Sequence, residues 1–350
     1  MTSRENVVKS FEEFAGVYKA VLENTKNEVN SAYSAERLRN MGKIYLVGDG
    51  VGFAVAHGLK ETFRAMTDLT GAWIKVLNTS EFAWQTDDAE LNMGRNNVIV
   101  LDAGQNVSSE EAIARARLFQ SDVTVISTGN KKDFSKADLV VETGMAEKNF
   151  GGCGDYLRLF TAGFEFALML STAQDNENKD RSEQLEQLEA YVTDMGKHMD
   201  HLSVEAEAIA RKMSSSVRNF ETTGTGLDYA SALMIRDIVY NELGVVTTVE
   251  ETEDYLHVNY LGIGAKEFGT FVINMVGNPC YDRTQLTVTC IQAVGRNQIV
   301  ITDGEIDDYC QGEGTSIMKI SNTNLYMIKA MFACVPAALV LASLKDIWGE

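Results

Sequence analysis

The stretch Ile44-Tyr45-Leu46-Val47-Gly48-Asp49-Gly50-Val51-Gly52 decides the fold. A compact apolar run suits a strand buried on both faces, and the three glycines that follow allow a sharp turn into a helix. That helix is predicted over residues 53–66. The same alternation continues downstream, with short apolar strands at 73–77, 98–101, 123–127 and 139–142 and a helix at 110–120. Short strands separated by helices imply a parallel sheet covered on both faces. A buried helix at 160–170 closes this half.

The plan then recurs. A polar, charge-rich break at 174–183 precedes Leu185, Leu188, Val192, Met195, Met199 and Leu202, whose spacing marks a long amphipathic helix. Beyond it, Thr222-Thr223-Gly224-Thr225-Gly226 echoes the first glycine turn. A helix at 230–240, strands at 271–276 and 298–302, and a helix at 285–294 follow. Phe11, Phe14, Val17, Tyr18, Val21 and Leu22 show that the chain opens with an amphipathic helix of its own. The expected organisation is an N-terminal helix over 1–35, a first lobe over 36–176, a helical linker over 177–220 and a second lobe over 221–350. The fold class is α/β, with two tandem doubly wound, flavodoxin-like parallel-sheet lobes.

Composition narrows the function. A formal charge of −19 argues against general binding to nucleic acid or an anionic membrane, and leaves a small molecule or a protein as partner. Five cysteines, Cys153, Cys280, Cys290, Cys310 and Cys334, occur without a C-x-x-C pair and read as reduced, mostly buried thiols of a cytoplasmic protein. The first residues lack the apolar run of a secretory signal. The apolar stretch at 330–344 falls short of the roughly 20 residues of a spanning helix and contains Pro336, so it reads as a core helix.

In their order, these residues resemble the sugar isomerase (SIS) family, which includes the isomerase half of glucosamine-6-phosphate synthase and the fructosamine-6-phosphate deglycases. The likeness runs through Gly48-Asp49-Gly50, then Ser80-Glu81-Phe82, Ala103 to Ser108, Ala137-Asp138-Leu139, a loop with Glu147, and the helix opening at Leu159-Phe160-Thr161. In the second half it runs through Ala232-Leu233, Asp237 to Tyr240, Glu253 to His257 and Val335-Pro336. It spans roughly residues 36–350. The resemblance implies a cytoplasmic homodimer or larger homo-oligomer acting on a sugar or sugar phosphate. It also implies Asp237 as a helix carboxylate base and His257 as the acid, with Glu253 and Glu242 as alternative bases.

The departures are specific. Relatives that bind sugar phosphates carry a serine-rich loop after the third strand, whereas this chain reads Ala103-Gly104-Gln105-Asn106-Val107-Ser108. Val51 and Gly52 stand where hydroxyl residues are common, and the synthase's C-terminal tail with its lysine has no counterpart.

A loop leading from a parallel strand into a helix directs backbone N–H groups at a ligand, which makes residues 103–108 the first-choice binding loop, with Gly104, Gln105, Asn106 and Ser108 as contacts. Ser108-x-x-Glu111 also fits a capping box. Asp49 and Asp102 flank the candidate loops and disfavour a phosphate there, so a neutral or amino sugar suits the acidic surroundings better. Gly50, Val51, Gly52, Glu81 and Glu147 complete the expected substrate contacts, the last beside a flexible Gly151-Gly152-Cys153-Gly154 loop.

No cofactor is expected: the dinucleotide fingerprint G-x-G-x-x-G fails because Phe53 occupies its third glycine position. No metal is expected either, since His198 and His201 lack a third ligand at suitable spacing, and His57 reads as helix surface. The function the resemblance implies is a sugar-phosphate (amino or keto sugar) isomerase or deglycase that moves a proton next to a carbonyl, with a non-catalytic regulator binding a sugar or sugar phosphate as the alternative.

Overall fold

The computed structural model describes residues 1–67, 74–92, 96–104, 107–129, 134–174, 180–259 and 265–349. The chain divides into two compact units. One comprises Gly16–Glu147 and Asp155–Glu186; the other comprises Met1–Ala15, Lys148–Gly154 and Gln187–Glu350.

The first of these is built on β1 (Lys43–Gly48), β2 (Ile74–Leu77), β3 (Asn96–Asp102), β4 (Asp122–Ser127) and β5 (Leu139–Glu142). All neighbours pair in parallel, in the order β2-β1-β3-β4-β5. The central strands carry the apolar runs, and Val47, Val98, Val100, Val123 and Val125 are buried in one core cluster with Phe82 and Ile113.

Helices α1 (Ser3–Ala32), α2 (Ala35–Arg39), α3 (Val51–Met66), α4 (Asp88–Leu91), α5 (Val107–Leu118), α6 (Cys153–Ala173) and α7 (Arg181–Met213) follow in chain order, the start of α1 and most of α7 counting with the other unit. Small residues let α3 and α6 approach closely: a side chain at Gly58 would collide with the Phe160 ring, and one at Gly163 with Leu59. Arg181 pins the start of α7 to α6 through Glu165, whose carboxyl is pushed up to about 7 by burial against the opposing pull of Arg181.

The other unit repeats the plan with β6 (Asn219–Gly224), β7 (Thr247–Glu251), β8 (Phe268–Ile273), β9 (Asn297–Thr302) and β10 (Thr315–Lys319). Its parallel sheet has the order β7-β6-β8-β9-β10, the first order shifted by five. Its helices are α8 (Leu227–Ile238), α9 (Thr252–His257), α10 (Tyr281–Ala293), α11 (Tyr326–Phe332) and α12 (Cys334–Trp348). The stretch Tyr326–Trp348 is long and apolar enough to cross a membrane, yet its most apolar window is wholly buried in the fold. Pro336 sits in the first turn of α12, where its missing N–H leaves no helical bond unmade. Phe11 and Phe14 of α1 pack against Phe332.

The expected α/β class with two doubly wound lobes is the one observed, down to identical strand order. β6 was read only through the glycine turn at its end, and two edge strands escaped the sequence reading. Thr247-Thr-Val-Glu-Glu and Thr315-Ser-Ile-Met-Lys lie at the two edges of their sheet, where polar residues are tolerated and the apolar run that betrays a central strand is missing. β8 begins at Phe268 rather than 271, which places Met275 and Val276 beyond its end. The expectation of mostly buried cysteines is also corrected: all five are free, but only Cys153 and Cys334 are buried, Cys280 and Cys290 are half-buried and Cys310 is exposed.

Candidate functional site

The glycine turns are the same device used twice. Gly50 precedes α3 at φ 50°, ψ −120°, and Gly226 precedes α8 at φ 62°, ψ −123°. Both conformations are reached at little cost only by glycine. After the first turn, α3 passes so close to β3 that a side chain at Gly52 would collide with the Leu101 carbonyl oxygen. This fixes the N-terminus of α3 against the carboxyl end of the sheet, where ligands of open parallel sheets are held.

Asp49 sits in that turn, with the strands before it and after it in the sheet, β2 and β3, on either side. Its Oδ1 accepts the Thr79 backbone N–H at 3.2 Å. Its Oδ2 accepts the hydroxyls of Thr79 and, at 3.1 Å, of Ser108. One half-buried carboxylate thus ties together the turns after β1, β2 and β3. Ser108 lies inside the first turn of α5 and donates its hydroxyl to Asp49.

Asp102, buried at the end of β3, is satisfied internally. It accepts the hydroxyls of Ser109 at 3.1 Å and Ser127 at 2.9 Å, and the N–H of Gly104 at 3.3 Å. Of the two carboxylates expected beside the loops, Asp102 is buried and Asp49 half-buried. Gln105 and Asn106 lie outside the described residues. Val51 begins α3, half-buried. Glu81 is half-buried in a wide helical turn after β2, its N–H anchored on the Asn78 side chain at 2.8 Å. Glu147 is exposed ahead of the Gly151-Gly152 turn. His57 stacks edge-on against Phe53 at 4.7 Å, and His198 turns its Nδ1 to the Asp194 carbonyl one helical turn back.

The proton-transfer candidates belong to the β6–β10 unit. Asp237, near the end of α8, has a side chain only 12% exposed. Its Oδ1 pairs with Arg236 at 2.7 Å, while its buried Oδ2 has no partner among the described residues. Burial raises its pKa above the ordinary carboxylate range, and Arg236 opposes the rise. Glu253 and His257 meet across one turn of α9, with His257 Nε2 3.2 Å from Glu253 Oε1. Arg283 holds both Glu253 oxygens, at 2.7 and 2.8 Å, and its hydrogen bonds keep that carboxyl below the ordinary range. Glu242, the alternative base, is committed to the Gly151 N–H and to Lys345.

Sequence reasoning missed a second set of charged residues in this unit. Asp228 stands where the first turn has Gly52, and it is fully buried. It accepts the Asn278 amide at 2.7 Å and the Met275 N–H at 3.1 Å, and burial pushes its carboxyl up to about 7. Asp303, just past β9, takes the Val276 N–H at 2.8 Å and pairs with the buried Lys329. The strand ends of this sheet are therefore plugged by the chain's own groups. The available signal was the aspartate replacing a glycine in the repeated turn.

No family model matches the chain, and no curated protein sequence matches it. Solved structures do. The chain superposes on the C-terminal domain of glucosamine-fructose-6-phosphate aminotransferase from Francisella tularensis with a TM-score of 0.82 at 13% identity, covering 98% of this chain and 96% of that one. A candidate phosphosugar isomerase from Clostridium difficile 630 gives a TM-score of 0.78 at 14% identity, covering 100% and 94%. A candidate sugar-binding protein from Salmonella typhimurium LT2 gives 0.73 at 15%, covering 95% and 99%. These likenesses extend over the whole chain and establish the fold as two tandem lobes of the sugar isomerase type.

Proposed function

We propose, from the tandem sugar isomerase fold as premise, that the β1–β5 unit binds a sugar derivative at the carboxyl ends of β1 and β3, and that the chain is an isomerase or deglycase moving a proton next to a carbonyl. The observation that carries the binding half is the convergence of Asp49, Thr79 and Ser108 at three adjacent strand ends. A carboxylate there accepts hydrogen bonds from sugar hydroxyls and attracts an ammonium, while it raises the energy of a bound phosphate. The substrate class that fits is a neutral or amino sugar, or a phosphorylated one whose phosphate lies away from Asp49. Asp237 is the better base of the candidates: it keeps an unpartnered oxygen and a raised pKa, whereas Glu253 is held ionised by Arg283. His257 supplies the acid.

A second reading, a sugar-binding regulator without turnover, has its own support. The hydroxyls of Thr79 and Ser108 are already engaged by Asp49, so neither stands open for a phosphate as a serine-rich loop would.

Thermal-shift measurements with neutral sugars, amino sugars and sugar phosphates, followed by a turnover assay on each hit, separate the two, with inorganic phosphate alone as the baseline. The expected result is a shift with an amino or neutral sugar and its conversion between aldose and ketose forms or release of its amine. Binding without conversion establishes the regulator, and no shift with any member of the panel overturns both readings.

A further inference from the structure

We infer that the β6–β10 unit carries a second ligand site, for the phosphate group of a small hydroxyl-bearing ester, at the amino ends of its strands. A cleft of about 460 Å³ opens there. Its lining comes from segments that enter the strands: Lys212 ahead of β6, Lys266 ahead of β8, Gln292 and Arg296 ahead of β9, and Glu313 ahead of β10. This is the end of the sheet opposite the turn that begins at Gly224, and it has no part in the site described above.

Three cations converge on the cleft in a chain whose formal charge is −19. Lys212 and Lys266 are exposed, and among the described residues neither has an ion pair. Glu313 offsets one of them. Arg296 is fully buried, pairs with Glu221, and lies with its guanidinium over the Phe268 ring. Among the described residues its Nε–H nevertheless has no acceptor, and Gln292 Oε1 in the same lining has no donor. A buried donor left unmade is costly, and an oxyanion is the ligand that satisfies it together with two ammonium groups. The orphaned Gln292 oxygen calls for a hydroxyl, and the volume exceeds what a bare phosphate fills. Arg296 also donates to the Asn259 carbonyl at 2.6 Å and to the Tyr255 hydroxyl at 3.1 Å. A ligand on its Nε therefore bears on the chain that forms and leaves α9, the helix of Glu253 and His257.

Calorimetric titration of the full chain with inorganic phosphate and with glycerol 3-phosphate tests the site, in three proteins: wild type, the Lys212→Ala/Lys266→Ala double variant and Ser108→Ala. Both lysines are exposed, so the double variant is expected to melt with the wild type. The expected result is binding by the wild type, tighter for the ester, weakened at least about tenfold in the double variant and unchanged in Ser108→Ala. Heat matched by potassium chloride of equal ionic strength, binding that survives in the double variant, or binding lost in Ser108→Ala overturns the assignment. None of these outcomes depends on turnover, so the site stands or falls apart from the proposed reaction.

Discussion

Replacing Arg296 with alanine is expected to destabilise the β6–β10 unit by about 3–5 kcal/mol, the usual cost of leaving a buried charge without its partner. The Arg296 and Glu221 side chains are 1% and 6% exposed and form an ion pair. Without the guanidinium, Glu221 keeps, among the described residues, the Tyr255 hydroxyl at 2.8 Å and the Thr270 hydroxyl at 3.2 Å. Two neutral donors do not replace a guanidinium beside a buried carboxylate. The Asn259 carbonyl loses its donor at the same time. Urea denaturation of Arg296→Ala measures the loss. Adding Glu221→Gln should restore part of it, because the stranded charge is then gone. A loss below about 1 kcal/mol would show that water reaches Glu221 and that the pair is not buried in solution.

The second large effect is on turnover. His257→Ala is expected to lower kcat by about 10²–10⁴-fold, the range in which a general acid contributes, with the melting temperature unchanged. The structural half of this expectation is direct. The His257 side chain is 72% exposed and its recorded polar contact is Glu253, so its removal takes little from the fold. Loss of turnover then reports chemistry rather than unfolding. The Arg283–Glu253 pair remains to hold α9 in place. Steady-state kinetics on the substrate found by the screen, beside a thermal melt, is the measurement. A kcat equal to that of the wild type removes His257 from the mechanism and leaves Asp237 to act with another acid.

Much of the architecture was legible in the chain itself, for reasons that differ between elements. β1, β3, β4 and β9 are buried on both faces and so carry unbroken apolar runs. Gly50 and Gly226 advertise turns because their backbone angles admit little else. The edge strands β7 and β10 carried no such signature. Asp49 was visible as a charge beside a loop, but its bonds to Thr79 and Ser108 join residues far apart in sequence and emerge only when β2, β1 and β3 lie side by side. Asp237 was legible as a helix carboxylate, but not as a buried one. Its burial follows from the packing around the end of α8, which periodicity alone does not report. Arg296 gave no sign of its role, since a lone arginine between a helix and a strand has the sequence of a surface residue, and only the fold shows it sealed against Glu221.

The claim beneath all of this is that the Asp49 carboxylate is the group a sugar meets at the ends of β1, β2 and β3. Titrating the best non-phosphorylated sugar from the screen into wild type and Asp49→Asn, with chemical denaturation of both as a control, tests it most directly. Affinity at least about tenfold weaker in Asp49→Asn at nearly equal stability is the predicted result. Equal affinity in the two proteins would contradict the account and place the sugar elsewhere.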